Sequence, residues 1–214
     1  MIRFLILMLF LSVSSKQLLA QALSYQDGSP AKEIKLINVE GTELLYPDWR
    51  LGSATVSSGA SYTNLLLKYN VFEEVLYFLG KDSVSMKFVN PVKEFHIDKD
   101  VYKNGYPPVK SFNNLSYYLV LAEGKATLLK KISKNIIDVK DFNSSITTKR
   151  IMDDKFYFLF INGAISPVKN DKSSFLNVLK DKSSEMESFF KANKTNFKKD
   201  EDLIAAAAYY NSLK

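Results

Sequence analysis

Residues 156–168 read FYFLFINGAISPV and decide the class of fold. The run 156–161 is apolar on both faces of an extended chain, which is typical of a central strand covered on both sides. Asn162-Gly163 follows it, and this dipeptide favours the type I′ turn that joins two antiparallel strands. Residues 164–168 then supply the returning strand. The segment therefore predicts a β-hairpin within a sheet whose two faces are both covered.

Strand signals continue upstream of this hairpin. The clearest is at 83–89, where Val84, Met86 and Phe88 alternate with polar residues, as in a half-buried strand. Other segments of this kind are 34–39, 54–56, 63–69, 75–79, 95–97, 117–122 and 125–132. Their connections are short, whereas parallel strands need crossovers of about a dozen residues or more. We therefore predict an antiparallel, curved β-sheet over residues 34–168, a meander of about seven to nine strands.

Helical signals replace strand signals after residue 168. Asp171 is placed to cap a helix from 172 to about 180, and Ser184 with Glu187 forms a capping box for a second helix. A third helix is predicted from Asp200, and its apolar residues follow a helical spacing. These residues are Leu203, Ala206, Ala207, Tyr210 and Leu213. The sequence thus predicts an α+β fold, with two to three helices over 171–213 packed on one face of the sheet.

The amino terminus has the pattern of a secretory signal peptide. Arg3 precedes an apolar run at 4–11, and Ala20-Gln21-Ala22 provides the small residues of a cleavage site after Ala22. The run is too short to cross a bilayer, which needs roughly 20 residues. We therefore predict a signal peptide at 1–22, a flexible lead-in at 23–33, a single domain at 34–214, and no transmembrane segment in the mature chain.

Composition narrows the compartment and the chemistry. The chain has no cysteine, which excludes disulfides, thiol catalysis and cysteine metal sites. Loss of Arg3 and Lys16 with the signal peptide lowers the formal net charge from +6 to +4. The remaining lysines form no single basic stripe, so we expect no nucleic-acid partner. An exported chain without disulfides fits the periplasm, with extracellular or peripheral outer-membrane locations as alternatives.

The sequence carries no strong catalytic or metal-binding signature. His96, the one histidine, shares a predicted strand face with Glu94 and Asp98. Residues spaced by two on a strand stand about 7 Å apart, so these three cannot chelate one ion by themselves. We interpret them as a solvent-facing polar row. No glycine-rich phosphate loop is present either, and we predict no catalytic residue, no metal site and no cofactor.

Two pairs of adjacent acids are candidate catalytic carboxylates. They are Glu73-Glu74 and Asp153-Asp154. Glycoside hydrolysis needs two carboxylates that face each other across a cleft, whereas neighbouring residues on a strand point to opposite faces. Both pairs fall at predicted turns, and we expect them to be solvated there.

Aromatic residues provide the candidate contacts with a ligand or partner. Two lie in the loop at 46–50, which contains the one tryptophan, and a third lies in the proline-rich loop at 105–108. An aromatic loop beside a sheet can bind a ligand, or it can close the end of the sheet as an apolar plug. The candidate contact residues are Tyr46, Trp49, Tyr106, Tyr77, Phe78, Phe158 and Phe160.

Three sequence blocks carry a resemblance to a known family. They read LKYNVFEEV at 67–75, YYLVLAEGKATLLK at 117–130, and FKKDEDLI at 197–204 followed by Tyr209-Tyr210-Asn211. With these blocks the chain resembles a family of exported proteins of Bacteroidota to which no activity is assigned. The resemblance implies export and transfers no catalytic residue.

We expect a non-catalytic envelope protein, and two binding hypotheses remain open. The first is a periplasmic binding or protein-interaction module, whose partners would be envelope proteins. It predicts packed rings in the core and apolar residues exposed in a loop or edge strand. The second is a carrier of an apolar ligand such as a lipid or fatty acid, which requires a cavity between sheet and helices. A hydrolase is a third alternative, which the lone histidine disfavours. The oligomeric state is left open.

Overall fold

The structure is a computed structural model that describes residues 27–32, 36–140 and 147–213. The expected signal peptide at 1–22 and the first residues of the lead-in lie outside the described residues. Within them, no helix combines the length and the apolar character that crossing a membrane requires.

One sheet contains all of the strands in the described part of the chain. They are β1 (Gly28–Pro30), β2 (Val39–Glu40), β3 (Arg50–Val56), β4 (Ser61–Asn70), β5 (Val75–Leu79), β6 (Ser85–Phe88), β7 (Val92–Ile97), β8 (Asp100–Lys103), β9 (Tyr118–Ala122), β10 (Ala126–Lys140), β11 (Thr147–Ile161) and β12 (Ala164–Val168). The α+β class is confirmed, but the predicted seven to nine strands are too few, because the sheet has 12. Strands as short as β1, β2 and β8 are too short to show a periodicity in the sequence, and they form because a neighbouring strand pairs with them.

The sheet consists of two meanders joined side by side. Its order is β1-β6-β5-β4-β3-β7-β8-β9-β10-β11-β12, and every neighbouring pair in this path is antiparallel. The pairing of β3 with β7 joins the meander of β3 to β6 to that of β7 to β12. Strand β2 lies off this path and pairs in parallel with β11. The antiparallel prediction is thus confirmed for all but this two-residue strand.

The hairpin on which the fold prediction rests is present. Strand β11 pairs with β12 through Ile161 and Ala164, and between them Asn162 and Gly163 have φ values of 50° and 80°. Positive φ at both central positions is the requirement of a type I′ turn, which explains why Asn-Gly occupies it.

The amino-terminal part of the sheet differs from expectation. Residues 34 and 35 of the predicted first strand lie outside the described residues, residues 36–38 form no strand, and Asn38 turns the chain with φ 59°, so that only β2 is formed there. Ile37 is 84% exposed. Gly28–Pro30, inside the segment expected to be a flexible lead-in, pairs with β6 instead. Both differences arise from partners distant in sequence, which local alternation cannot reveal.

Three helices follow the sheet: α1 (Lys172–Val178), α2 (Ser183–Ala192) and α3 (Asp200–Ser212). Asp171 caps α1 as predicted, because its carboxylate accepts the Ser174 backbone N–H at 2.8 Å. The capping box predicted at Ser184 is wrong, since α2 begins one residue earlier and has no side-chain cap. Glu187 instead accepts from Lys172 of α1 at 2.7 Å.

The doubly apolar run of β11 is covered on both faces, as its composition requires. On one face of β11, Tyr157 and Leu159 pack against the three helices. On the other face, Phe158 packs beneath residues 104–117, the segment that contains Tyr106 and Phe112. The β3–β8 part of the sheet has a separate apolar core, which includes Phe95, Tyr69 and Phe78.

A polar contact fastens α3 to the sheet. Lys130 Nζ donates to Asp200 Oδ2 at 2.5 Å, and Tyr157 OH donates to Asp200 Oδ1 at 2.7 Å. Burial by itself raises the pKa of the Asp200 carboxyl, but the hydrogen bonds from Lys130 and Tyr157 outweigh that effect. The pKa therefore lies below its ordinary value.

This contact predicts a component of acid sensitivity. Because the folded-state pKa of Asp200 is lowered, its stabilising effect is complete above the ordinary aspartate pKa of about 3.9 and is lost as the pH falls through the folded-state pKa. Asp200→Asn should therefore lower the unfolding free energy at pH 7, and by progressively less below about pH 4. Denaturant titrations at several pH values measure this difference. Asp82→Asn, at an exposed position, is the control, and a pH-independent difference for Asp200→Asn would contradict the assignment.

Candidate functional site

The polar row around His96 forms a surface ion-pair network. His96 Nε2 lies 2.9 Å from Glu94 Oε1, and Lys103 Nζ lies 3.3 Å from Glu94 Oε2. Asp98 does not join the row, because it turns the chain with φ 53° after β7 and pairs with Arg50. In the described ranges, no three His, Asp or Glu side chains are placed to hold a metal ion. The three residues of the predicted row are therefore divided between two contacts.

Glu74 is not the solvated turn residue that was expected. It follows β4 at the predicted turn, but its carboxylate pairs with Lys131 Nζ and accepts hydrogen bonds from Tyr69 OH and the Tyr117 backbone N–H. The Lys131 side chain is 2% exposed and Glu74 is 28% exposed. Burial lowers the pKa of Lys131, an effect that Glu74 partly offsets. The pair connects the β4–β5 turn to the centre of β10.

The sequence contained a signal for this buried cation that was missed. Lys130 and Lys131 are adjacent within a strand, so they must point to opposite faces of the sheet. Because both faces were predicted to be covered, neither lysine could reach solvent freely. Each therefore requires its own carboxylate, and the structure provides Asp200 for Lys130 and Glu74 for Lys131.

The second acid pair was also placed wrongly. Asp153 and Asp154 lie inside β11 and not at a turn, because β11 extends nine residues upstream of the predicted strand start at Phe156. They face opposite sides of the strand, and each contacts a residue of β10. The partner of Asp153 lies directly opposite it, and the partner of Asp154 lies on the diagonal. Lys134 donates to Asp153 at 2.7 Å, and Asn135 donates to Asp154.

Tyr117 and Tyr118 lie near the Glu74–Lys131 pair and differ in the partners of their hydroxyl groups. Tyr117 OH donates to the Val92 carbonyl at 2.6 Å. Tyr118 is fully buried, and its hydroxyl has no hydrogen-bond partner among the described residues. Burial, with a smaller effect of the Glu74 charge, raises the pKa of Tyr118 to about 12.

This difference predicts opposite effects of the same substitution. Tyr117→Phe should destabilise the fold by about 1 kcal/mol, because it removes a buried hydrogen bond. Tyr118→Phe should be neutral or stabilising by up to about 1 kcal/mol, because it removes a desolvated hydroxyl that gains nothing in return. Urea unfolding of the two variants measures the contrast. An equal loss in both would mean that the Tyr118 hydroxyl is hydrogen-bonded after all.

A pocket of about 310 Å³ opens beside Glu74. Its wall contains the charged residues Glu73, Glu74 and Lys87, together with side chains that include Phe88 and Leu115. Glu73 accepts hydrogen bonds from Tyr77 OH at 2.9 Å and from Asn70 Nδ2 at 3.3 Å. The wall therefore holds charges of both signs, and the Glu74 carboxylate is already paired with Lys131.

The aromatic candidate residues are dispersed over the molecule. Tyr106, Phe158 and Phe160 lie together, and the Tyr106 ring is 5.1 Å from that of Phe160. Tyr77 binds Glu73, and the Phe78 ring lies 4.7 Å from that of Phe88.

The two aromatic residues of the loop at 46–50 lie apart from the cluster of Tyr106, Phe158 and Phe160. Tyr46 and Trp49 are half-buried before β3, each beneath a cation. Arg50 lies 4.9 Å from the Tyr46 ring, and Lys68 Nζ lies 4.8 Å from the Trp49 ring. The candidate residues therefore do not form one common site.

The most distinctive surface is the outer hairpin, which we define as residues 133–140 of β10 and 147–154 of β11. The two strands pair without interruption from Ala126 with Ile161 to Lys140 with Thr147. Strand β9 pairs with β10 at residues 128–130 alone. Among the strands that the structure describes, none pairs with residues 133–140 on the side away from β11. We call this side the outer edge.

Apolar side chains accompany the outer edge. Ile136 is 39% exposed, Ile137 is 43% exposed and Met152 is 46% exposed. These residues lie beyond residue 132, where the predicted strand ends. The alternation of apolar and polar residues from Ile137 to Lys140 was the signal that could have extended it.

Comparison with known proteins gives no match to a protein-family model, a curated protein or a solved structure. The resemblance to exported Bacteroidota proteins therefore stays a prediction.

Proposed function

We propose that the protein is an exported, non-catalytic envelope protein that acts as a periplasmic protein-interaction module. The outer edge of β10 carries the proposal. It combines backbone groups that no described strand pairs with exposed apolar side chains at Ile136 and Ile137, next to Met152 of β11. An exposed edge strand of this kind is a ready template for pairing with another chain.

The length of the outer edge supports a role in binding. Proteins usually protect their sheet edges with very short strands, prolines, bulges or a covering segment. Residues 133–140 contain no proline, and their pairing with β11 has no bulge. A long and regular edge with apolar side chains that is not covered by a described strand is consistent with a surface that a partner occupies.

The carrier alternative has weaker support. Phe158 is 0% exposed and contacts the rings of Tyr118 and Phe112, while Phe78 is buried against Phe88. Rings packed in this way fill the space that an apolar ligand would need.

Photocrosslinking in the native host tests the proposed function. A photoreactive amino acid at position 137 should crosslink to a protein, whereas the same group at position 51 should not. Leu51 is the matched control, because it is also an exposed apolar residue on a strand, at 57% exposure. The captured protein, identified by mass spectrometry, should bind the purified chain and lose affinity for Ile137→Asp. Equal crosslinking at both positions, or none at 137, would contradict the proposal. Native mass spectrometry that shows a bound lipid would favour the carrier.

A further inference from the structure

The outer edge of β10 is complementary to itself in one antiparallel register. Residues 131–140 read KISKNIIDVK. Two copies aligned antiparallel about Ile136 place this residue opposite its counterpart. In the same register, Lys134 of each copy lies opposite Asp138 of the other. Opposite charges and apolar side chains directly across from each other are the pairs that stabilise antiparallel strands.

The same register continues the contacts that already exist within each hairpin. In one chain, Asp138 pairs with Lys149 of β11 at 3.6 Å, and Lys134 pairs with Asp153 at 2.7 Å. Across four strands the row would read Lys149, Asp138, Lys134, Asp153, with the last two from the second copy. The two inner charges, Asp138 and Lys134, then each lie between opposite charges, and a row of Ile151 and Ile136 from both copies lies between the charged rows.

Neighbouring registers lose this complementarity. A shift of two residues in one direction places Lys134 opposite Lys140 and Ile136 opposite Asp138. The shift in the other direction places Ile132 opposite Asp138 and Lys134 opposite Ile136. A shift of one residue joins unlike faces of the two hairpins, because side chains alternate along a strand. The pattern of charges therefore selects the register centred on Ile136.

We propose that a second copy of the chain occupies the outer edge and forms a two-fold β10–β10 pair centred on Ile136. The inference rests on the proposed function, because it assigns the partner of the same surface. A two-fold interface uses the same patch on both subunits, and the self-complementary order of charges in 134–138 satisfies that condition. The pairing also satisfies backbone groups that are otherwise left at the edge.

Cysteine crosslinking of the full chain tests the register, and the absence of native cysteines makes the readout clean. Ile136→Cys should form a disulfide-linked dimer under a mild oxidant. Directly opposite residues have Cβ atoms about 4.5–5.5 Å apart, close to disulfide distance. Ile137→Cys is the matched control, with 43% exposure against 39%. In the proposed register, position 137 of the second copy would lie diagonally across the strand pair, about 7–8 Å away, so this variant should crosslink poorly. Equal crosslinking of the two variants, or none at position 136, would overturn the register.

Charge exchange tests the same pairing without cysteine. By sedimentation, wild type should be dimeric, and Asp138→Lys and Lys134→Asp should each be monomeric, because each sets like charges opposite one another. A mixture of the two variants should form a heterodimer, since both cross-strand pairs are then restored. Circular dichroism checks that each variant is folded. A heterodimer that fails to form from two folded variants would overturn the inference.

The two proposals can fail separately. If the purified wild-type chain is monomeric while position 137 crosslinks to a different protein in cells, the second-copy inference falls and the proposed function stands. If the chain is monomeric and position 137 captures nothing, both fall. Crosslinking of position 137 to another copy of this chain would support both.

Discussion

Glu74→Gln is expected to destabilise the fold by about 3 kcal/mol, because it leaves the Lys131 charge buried without a counter-ion. Removal of one partner of a buried pair typically costs about 3–5 kcal/mol. The lower end applies here, since the Glu74 side chain keeps 28% exposure and water reaches the carboxylate. Urea unfolding at pH 7 measures the change. The double variant Glu74→Gln/Lys131→Met should recover much of the loss, because no charge is then left buried.

Glu73→Gln is the matched control for this prediction. Glu73 is the adjacent residue, is exposed, and accepts hydrogen bonds from Tyr77 and Asn70 that a glutamine oxygen can also accept. Its effect should stay within about 0.5 kcal/mol, as for most surface substitutions. A Glu74→Gln variant that is no less stable than Glu73→Gln would show that Lys131 does not depend on this carboxylate.

Phe158→Ala is expected to destabilise the fold by about 3–5 kcal/mol, the usual cost of removing a buried phenylalanine. Phe158 is 0% exposed and lies against the rings of Tyr118 and Phe112, so its loss leaves a cavity between β11 and the segment 104–117. For a chain of this size the melting temperature should fall by roughly 6–20 °C. Differential scanning calorimetry measures the shift.

Phe72→Ala controls for the loss of a phenylalanine as such. Phe72 is 42% exposed at the turn after β4. Its removal should change stability by about 0.5 kcal/mol or less. A comparable loss in both variants would show that the segment 104–117 does not bury Phe158 in solution. In that case the space above β11 could admit a ligand, which would restore the carrier hypothesis.

The turns and helix positions could be predicted because their causes are local. Asn162-Gly163 determines its hairpin through two positive φ values, and Asp171 determines the start of α1 through one hydrogen bond. The alternation that buries Phe95 and Ile97 also follows from strand geometry alone. In each case the residues that interact are close together in sequence.

The candidate surface could not be predicted in the same way. The length of β10 and β11 depends on pairing between the strands, which extends the sheet through polar residues such as Asn135 and Asp154. The exposure of the outer edge depends on where β9 begins, and the strand pattern of β10 contains no information about that. The candidate contacts predicted from the sequence are therefore large aromatic rings, and three of them, Tyr77, Phe78 and Phe158, are buried in the interior.

The amino-acid sequence by itself determined the α+β class, the antiparallel hairpins and the apolar faces of the helices, since these follow from the spacing of neighbouring side chains. The tertiary structure alone decided that Lys131 meets Glu74, 57 residues away, and that one side of the outer β10 strand is left without a partner among the described strands. The physical reason is that burial and pairing are properties of surfaces brought together in space, whereas periodicity specifies only which face of an element each residue occupies.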